Sequence, residues 1–330
     1  MTPARWAKVA AFVVIGAVVA RPARTQSAQD LPSAGRLLEQ GNAAAAGPTI
    51  RAAYGANPSS GAAAYWMGRL LLNEDRASDA AQAFEKAVAA EPNNSNYHVW
   101  LGRAYGTQAQ RANVLRQAGL ARKTKGAWER AVQLDPSNLT AREDLVDYYL
   151  QAPGIMGGGT DKALREAEEI RRRDAVRGTL QLVEIYQKEK KPADAERVLT
   201  EALRTRPDTA PLYFALGYVY QNTQRWDQVF EHFERRLQAH PSDHGALFQV
   251  GRTGALSGQR LDRAEQALTA YLRANPTDAE LPRPASAHYR LGQVYEKKGD
   301  RARARAEYQQ SVQLNPRYKP AQDALKAVGG

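Results

Sequence analysis

Apolar and small side chains recur at helical spacing along most of the chain, and the pattern is most regular between Ala285 and Tyr318. The residues that carry it are Leu291, Gly292, Tyr295, Ala304, Tyr308 and Pro316. The first three form one helical stripe, Gly299 interrupts the helix, and the alanine with the second tyrosine forms a facing stripe. The segment is therefore predicted to be an antiparallel helical hairpin with one apolar side.

A single hairpin of this size cannot bury its apolar side alone, so it must pack against a neighbour. The same pattern returns along the chain, which supplies the neighbours. Small residues at equivalent places mark it: Gly68, Gly102, Gly217, Gly251 and Gly292. A small residue lets two helix backbones approach, and an aromatic ring on the facing helix fills the space beside it.

This spacing resembles the tetratricopeptide repeat, a helical hairpin of about 34 residues with Leu, Gly, Tyr, Ala, an aromatic residue and Pro at fixed offsets. The resemblance implies an all-α fold, a right-handed superhelical solenoid of about eight hairpins with a C-terminal capping helix. It also implies that the first helices line a concave groove, and that the protein acts as a binding scaffold.

The predicted array occupies residues 29–330, and its first unit is degenerate, as is common where a solenoid must be capped. The units are expected near residues 27–60, 61–94, 95–138, 139–175, 176–209, 210–243, 244–278 and 285–318. A single amphipathic helix at residues 320–328 is predicted to cover the end of the stack.

Two units depart from the pattern. The unit at residues 95–138 holds about ten extra residues that favour helix, which predicts longer helices or a protruding turn. The unit at residues 139–175 contains the glycine-rich stretch Gly154–Thr160. That stretch lacks the Lys-Ser/Thr pair and the preceding strand of a phosphate loop, so we expect an extended turn with glycines at positive φ.

The N-terminal residues have the order of a secretory signal peptide. Arg5 and Lys8 precede the apolar run Val9–Ala20, and small and polar residues follow. Residues 1–28 are therefore predicted to be a signal peptide, with cleavage after Ala20, Ala23 or Ala28 all compatible with the sequence. An uncleaved anchor is the alternative, although the run is shorter than the ~20 residues of a membrane-spanning helix.

We accordingly expect an exported bacterial protein, periplasmic or secreted, with no stable membrane span in its mature form. The full chain has a net charge of +11, and loss of residues 1–28 would remove four basic residues and no acid, which leaves +7. This charge favours acidic partners or an anionic envelope polymer, and is equally typical of a solvated surface. An export signal argues against nucleic acid as a partner.

The resemblance implies which residues line the groove, mainly at the second, fifth, ninth, twelfth and thirteenth places of each first helix. Two zones combine aromatic side chains with arginine, the residue types that dominate interface hot spots. The predicted partner-binding residues are Tyr65, Arg69, Trp100, Arg103, Phe214, Tyr218, Phe248, Arg252 and Tyr289. The alternative is that several of these aromatics belong to the core between repeats. An acidic stretch, Glu143, Asp147 and Glu184, lies between the zones.

The sequence offers little catalytic chemistry. There is no cysteine, and the five histidines show no metal-ligand or general-base spacing. No repeat has the Lys and Asn pair with which some members of the family hold a chain-terminal carboxylate. We therefore predict no enzyme activity, no catalytic residue, no cofactor and no metal.

The function predicted from the sequence is a protein–protein interaction scaffold of the cell envelope that binds a protein or peptide segment in its groove. The alternative is an accessory factor for envelope polysaccharide assembly or export that binds an anionic polymer through its arginines.

Overall fold

A computed structural model describes residues 23–329, and the described part is built from helices. Residues 1–22, which hold most of the predicted signal peptide, lie outside the described residues. The contacts divide the chain into two compact units, residues 1–162 and residues 163–330. The boundary falls in the first turn of one helix, Thr160–Arg173, and the two units are described separately.

Unit 1 contains consecutive antiparallel hairpins. Its helices are α1 (Ala23–Glu39), α2 (Ala43–Ala56), α3 (Gly61–Asn73), α4 (Ala77–Ala90), α5 (Ser95–Arg111), α6 (Val114–Leu134) and α7 (Leu139–Gln151), followed by a 3-10 turn (Gly154–Met156) and the start of α8 (Thr160–Arg173). The helices α1 and α2, α3 and α4, and α5 and α6 pair with each other, and each hairpin packs on the next.

Unit 2 has the same organisation. It holds the rest of α8 and then α9 (Ala175–Lys188), α10 (Pro192–Thr205), α11 (Ala210–Asn222), α12 (Trp226–Ala239), α13 (His244–Ser257), α14 (Leu261–Ala274), α15 (Pro284–Lys297), α16 (Arg301–Leu314) and α17 (Lys319–Gly329). The predicted all-α fold of stacked helical hairpins is confirmed. The final helix packs its apolar side, including Ala324, Leu325 and Val328, against the core of the last two hairpins.

The glycines that mark the repeats occupy equivalent environments, as the pattern predicted. Each lies against a large side chain of the second helix, so that an added Cβ would sit 2.7 Å or less from it. The pairs are Gly68 with Phe84, Gly102 with Trp128, Gly217 with Phe233, Gly251 with Leu268 and Gly292 with Tyr308. The two helices of each of these hairpins can therefore approach closely because the glycine contributes no side chain to the contact.

Several of the turns inside hairpins contain a left-handed residue. Gly299 has a φ of 80° between α15 and α16, as expected for the glycine that interrupts the helical pattern. Asp75, Lys190 and Gln224 take positive φ at the equivalent turns of other hairpins. The turn geometry is therefore kept where the sequence has no glycine, and packing of the two helices stabilises it.

The two irregular units also follow their predictions. The extra residues in the third hairpin extend its helices, α5 to 17 residues and α6 to 21. Gly157 and Gly159 have φ values of 90° and 151° in the glycine-rich turn. The Tyr148 hydroxyl donates to the Met156 carbonyl over 2.7 Å, and Lys162 Nζ donates to the Gly157 carbonyl over 2.8 Å. These bonds tie the turn to α7 through Tyr148 and to the start of α8 through Lys162.

The same substitution is expected to have opposite effects at two glycines of one hairpin. A Cβ at Gly102 would lie 2.4 Å from Nε1 of Trp128, which is held in place because it donates to the Val99 carbonyl. Gly102→Ala should lower the free energy of unfolding by about 1–3 kcal/mol through overpacking. Gly126, in α6, has open space around it. Gly126→Ala should stabilise by about 0.5–1 kcal/mol, because alanine favours helix.

Urea denaturation of both alanine variants, followed by circular dichroism, measures this difference. Equal effects at the two glycines would show that close approach of α5 and α6 at Gly102 is not what requires the glycine.

Candidate partner-binding surfaces

The candidate residues lie on the first helix of each hairpin. In unit 1 these are α3, α5 and α7, which pack side by side, and in unit 2 they are α11, α13 and α15. We call the exposed side chains of these helices the first-helix surface of each unit. Every predicted residue of the two zones is on one of these helices, although not every one is at the surface.

In unit 1, the half-buried ring of Trp100 is the centre of the surface. The guanidinium of Arg69 lies over it at 3.9 Å from the ring centroid, and that of Arg103 lies over it at 4.7 Å. Arg69 also donates to the Tyr65 hydroxyl over 2.9 Å. Cation–π contacts of this kind orient both arginines. The structure therefore brings together all four residues predicted for this zone.

Arg103 has an acidic partner that the sequence did not indicate. Its Nε and Nη2 atoms donate to the two carboxylate oxygens of Asp144, over 2.8 and 3.0 Å. Burial raises the pKa of Asp144, although the bonds from Arg103 oppose that shift. The neighbouring residues Glu143 and Asp147 were the acids expected at this position. Asp144 follows Glu143 directly, so a charge pattern alone could not select which of the three faces α5.

A cleft of about 710 Å³ adjoins this pair in unit 1. Its lining combines aromatic, acidic and amide side chains, including Trp100, Trp128, Asp144, Tyr148 and Gln151. Clefts of this size occur widely at ligand and peptide sites. The long helices of the third hairpin form one wall, and residues of the predicted insertion, such as Gln117 and Ala121, line the cleft.

In unit 2, Arg252 is held by neutral groups. Its Nη1 donates to Oε1 of Gln221 over 2.5 Å and, more weakly, to Oε1 of Gln249 over 3.4 Å. Gln249 Nε2 in turn donates to the hydroxyl of Tyr218 over 3.0 Å, and the Arg252 guanidinium lies 5.9 Å from that tyrosine ring. The buried amide of Gln221 also reaches Thr253. This amide network links α11 to α13 and was not predicted.

The neighbouring helix α15 contributes Tyr289 and Arg290 to the same surface. Arg290 Nη1 donates to Gln293 Oε1 over 2.7 Å, and its guanidinium lies 5.2 Å from the Tyr289 ring centroid. Gln293 Nε2 donates to the Tyr289 hydroxyl over 3.1 Å. Tyr289 was predicted here, whereas Arg290 was not, because it follows the predicted place by one residue.

The structure corrects the assignment of Phe248. Its side chain is only 5% exposed and packs in the core with Tyr271, at 5.4 Å between ring centroids. Phe214 is partly buried against the same core and contacts Phe233. Both phenylalanines therefore contribute to the packing between the two helices of their own hairpins. In contrast, Tyr218 remains 39% exposed and is the accessible aromatic residue of this surface.

The histidines are placed separately from one another. His98 bonds the Pro92 carbonyl, His232 bonds the Tyr213 carbonyl, and His288 bonds Glu307. Within residues 23–329, no group of three or more His, Cys, Asp or Glu side chains is arranged to hold a metal ion. In that same part of the chain, no helix is both long and apolar enough to cross a membrane.

The fold and the repeat pattern agree with the comparison to known families. A tetratricopeptide repeat profile matches residues 37–105, and a second one matches residues 285–318. These two segments are tetratricopeptide repeats. The tetratricopeptide repeat is a protein–protein interaction module, and proteins built from it are typically not enzymes. The two matches therefore support a scaffold role in protein–protein interaction.

The similar proteins have low sequence identity to this chain. The peroxisomal targeting signal receptor of Saccharomyces cerevisiae is 26% identical over 219 residues, which cover 64% of this chain and 33% of the receptor. The chain thus spans about a third of that relative's length. A thermophilic tetratricopeptide repeat protein of Thermus thermophilus is 19% identical, with a TM-score of 0.48, and covers 59% of this chain and 99% of its own. A tetratricopeptide repeat protein of Parabacteroides merdae is 15% identical, with a TM-score of 0.47, and the match covers 92% of this chain and 100% of that protein.

Proposed function

We propose that this tetratricopeptide repeat protein is an exported scaffold of the cell envelope that holds a partner segment on its first-helix surfaces. The observation that carries the proposal is the pairing of exposed or half-buried aromatic rings with arginines on those surfaces. Trp100 with Arg69 and Arg103 forms one such group in unit 1. Tyr218 with Arg252 belongs to another in unit 2.

Residues of these types suit protein binding for a physical reason. Trp and Tyr bury a large area with few rotatable bonds, and arginine can donate several hydrogen bonds in a fixed plane. Rigid helices hold the side chains before the partner arrives, which reduces the entropy that binding must overcome. An extended segment can contact several neighbouring first helices at once.

The envelope location is supported by Arg5, Lys8 and the apolar run Val9–Ala20, which have the order of a signal peptide. Expression of the full chain in a bacterial host, followed by fractionation and N-terminal sequencing, tests this part. A protein recovered in the cytoplasmic fraction with residues 1–28 intact would contradict export.

Partner binding is tested by crosslinking with envelope extracts and identification of the captured proteins by mass spectrometry. We expect Trp100→Ala to reduce capture by about tenfold, because it removes the ring on which two arginines lie. The matched control is Trp226→Ala, which removes a partly buried tryptophan from the second helix α12. Both variants are first checked for native helicity by circular dichroism. Equal loss in the two variants would point to folding rather than to the unit 1 surface.

A further inference from the structure

The arginines of unit 2 differ in how their charge is compensated. Most of those that are partly buried have a carboxylate partner: Arg236 pairs with Asp243 over 2.6 Å, Arg225 with Glu196 over 2.7 Å, and Arg263 with Glu234 over 2.7 Å. Within the described residues, Arg252 and Arg290 form no ion pair, although both are half-buried.

Both exceptions are held in place by neutral amides. Gln221 and Gln249 accept from Arg252, and Gln293 accepts from Arg290. In each case only Nη1 donates to a protein acceptor in the described part of the chain, so the Nε and Nη2 donors remain for another group. Amide partners orient a guanidinium without neutralising it. The two side chains are thus positioned as donors for an anion.

The two charges also act on each other. Arg252 on α13 and Arg290 on α15 belong to first helices that pack side by side. Burial, and secondly the charge of Arg290, lower the pKa of Arg252. Like charges held near each other in a partly desolvated site raise its electrostatic energy, and an anion between or across them removes that energy.

We propose that Arg252 and Arg290 form a carboxylate-binding site for an acidic polypeptide segment that docks across α13 and α15. The proposal specifies the chemistry of the partner in the scaffold function and rests on it. A planar guanidinium binds a carboxylate through two parallel hydrogen bonds, so the pair would take two acidic side chains of one segment.

The surroundings favour a polypeptide over a bare polyanion. Tyr218, which is 39% exposed, and half-buried Tyr289 flank the two guanidiniums and offer apolar ring surface. Apolar side chains next to the acids of a peptide can pack on these rings. The amides of Gln249 and Gln293 are occupied in the network that holds the arginines. The expected ligand is therefore acidic with interspersed aromatic or aliphatic residues.

The experiment uses fluorescence anisotropy at physiological ionic strength with the full mature chain. The probe is a short labelled peptide of repeated Asp-Glu-Phe, and its matched control peptide has Asn-Gln-Phe. We expect the acidic peptide to bind and the amide peptide to bind at least about tenfold more weakly. The double variant Arg252→Gln with Arg290→Gln should weaken binding of the acidic peptide by about tenfold or more.

The control variant removes two positive charges as well, but from the second helix of the hairpin. Arg301 and Arg305 are exposed on the second helix α16, so Arg301→Gln with Arg305→Gln should leave the dissociation constant within about twofold. Because Arg252 also supports the amide network, Arg290→Gln alone and Arg252→Lys with Arg290→Lys are measured too. We expect the single variant to bind with intermediate affinity, and the lysine variant to bind weakly despite its charge.

Three results would overturn the site: equal binding of the two peptides, equal loss in the control variant, or an affinity that the glutamine variants do not change. If sodium alginate binds with the same dependence on Arg252 and Arg290 and the peptide does not, the occupant is an acidic polysaccharide. If the wild-type chain and the double glutamine variant crosslink the same partners, the scaffold function is supported but this site is not part of it. Failure to crosslink any partner would instead count against the scaffold function.

Discussion

Replacement of Phe233 by alanine is expected to lower the free energy of unfolding of unit 2 by about 3–5 kcal/mol. Phe233 is fully buried on α12 and fills the space beside Gly217 on α11. Removal of the ring leaves a cavity that the surrounding helices can only partly close. Leu314→Ala, at a 55% exposed position on α16, serves as control and should change stability by less than about 1 kcal/mol.

A double-mutant cycle tests the packing more directly. A Cβ at Gly217 would lie 2.3 Å from Cζ of Phe233, so Gly217→Ala alone should be destabilising. Phe233→Leu withdraws the atoms that the new methyl group meets. The two changes together should therefore cost less than the sum of the single changes, by at least about 0.5 kcal/mol. Urea denaturation followed by circular dichroism measures the free energy of unfolding of wild type, the two single variants and the double variant. Strict additivity would contradict the contact.

The second large effect is expected on acidification, through His232. Its side chain is 7% exposed, and its ring stacks on Tyr213 at 3.8 Å between centroids. Nε2 lies 2.8 Å from the Tyr213 carbonyl oxygen, and an Nε2–H that donates to this oxygen makes the bond. Burial lowers the pKa of His232 from 6.5 to about 4, since a charged imidazole would lose its hydration there.

The sign follows from where the proton binds. Between pH 6.5 and about 4, the unfolded chain protonates this histidine while the folded chain does not. The free energy of unfolding therefore decreases as the pH is lowered through that window. At pH 4 the loss should approach about 3 kcal/mol, and above pH 6.5 it should be absent. His232→Phe keeps the stack and removes the titration. It should therefore lower stability at pH 7 by about 1 kcal/mol, because the Tyr213 carbonyl loses its donor. Near pH 4, where only the wild type has lost about 3 kcal/mol, the variant should be the more stable protein by about 2 kcal/mol.

The measurement is the free energy of unfolding of wild type and variant in urea across this pH range. The difference between the two removes the contribution of the carboxylates, which both proteins share. Leu314→Ala, the exposed control on α16, should leave the pH profile unchanged. A constant difference between wild type and His232→Phe at all pH values would contradict the assignment.

The sequence predicted the hairpins because the residues that specify each hairpin are close to one another along the chain. Stripes at helical spacing, small residues between them and turn residues after them act within one unit. They are why equivalent roles could be assigned to Gly68, Gly102 and Gly292 from the repeat pattern alone. The extended helices of the third hairpin and the final amphipathic helix follow from the same kind of pattern.

The candidate site was only partly predictable. Tyr65 and Arg69 lie together on one surface, and they are at the expected fifth and ninth places of their unit. Phe248 is at the fifth place of its unit, as Tyr65 is, and is nevertheless in the core. The side chains around it, such as Tyr271, come from a different helix. A position at the border between the buried and exposed sides of a helix is decided by its neighbours in space.

By itself, then, the sequence determined that this chain forms stacked helical hairpins, and on which helices aromatic residues and arginines are concentrated. The tertiary structure alone decided which arginines are neutralised. Asp144 reaches Arg103 from a neighbouring hairpin, whereas the hydrogen bonds that Arg252 and Arg290 donate within residues 23–329 go to amides. The reason is physical. A helical pattern depends on residues three or four apart, while the partner of a charge depends on side chains that packing brings together from distant parts of the chain.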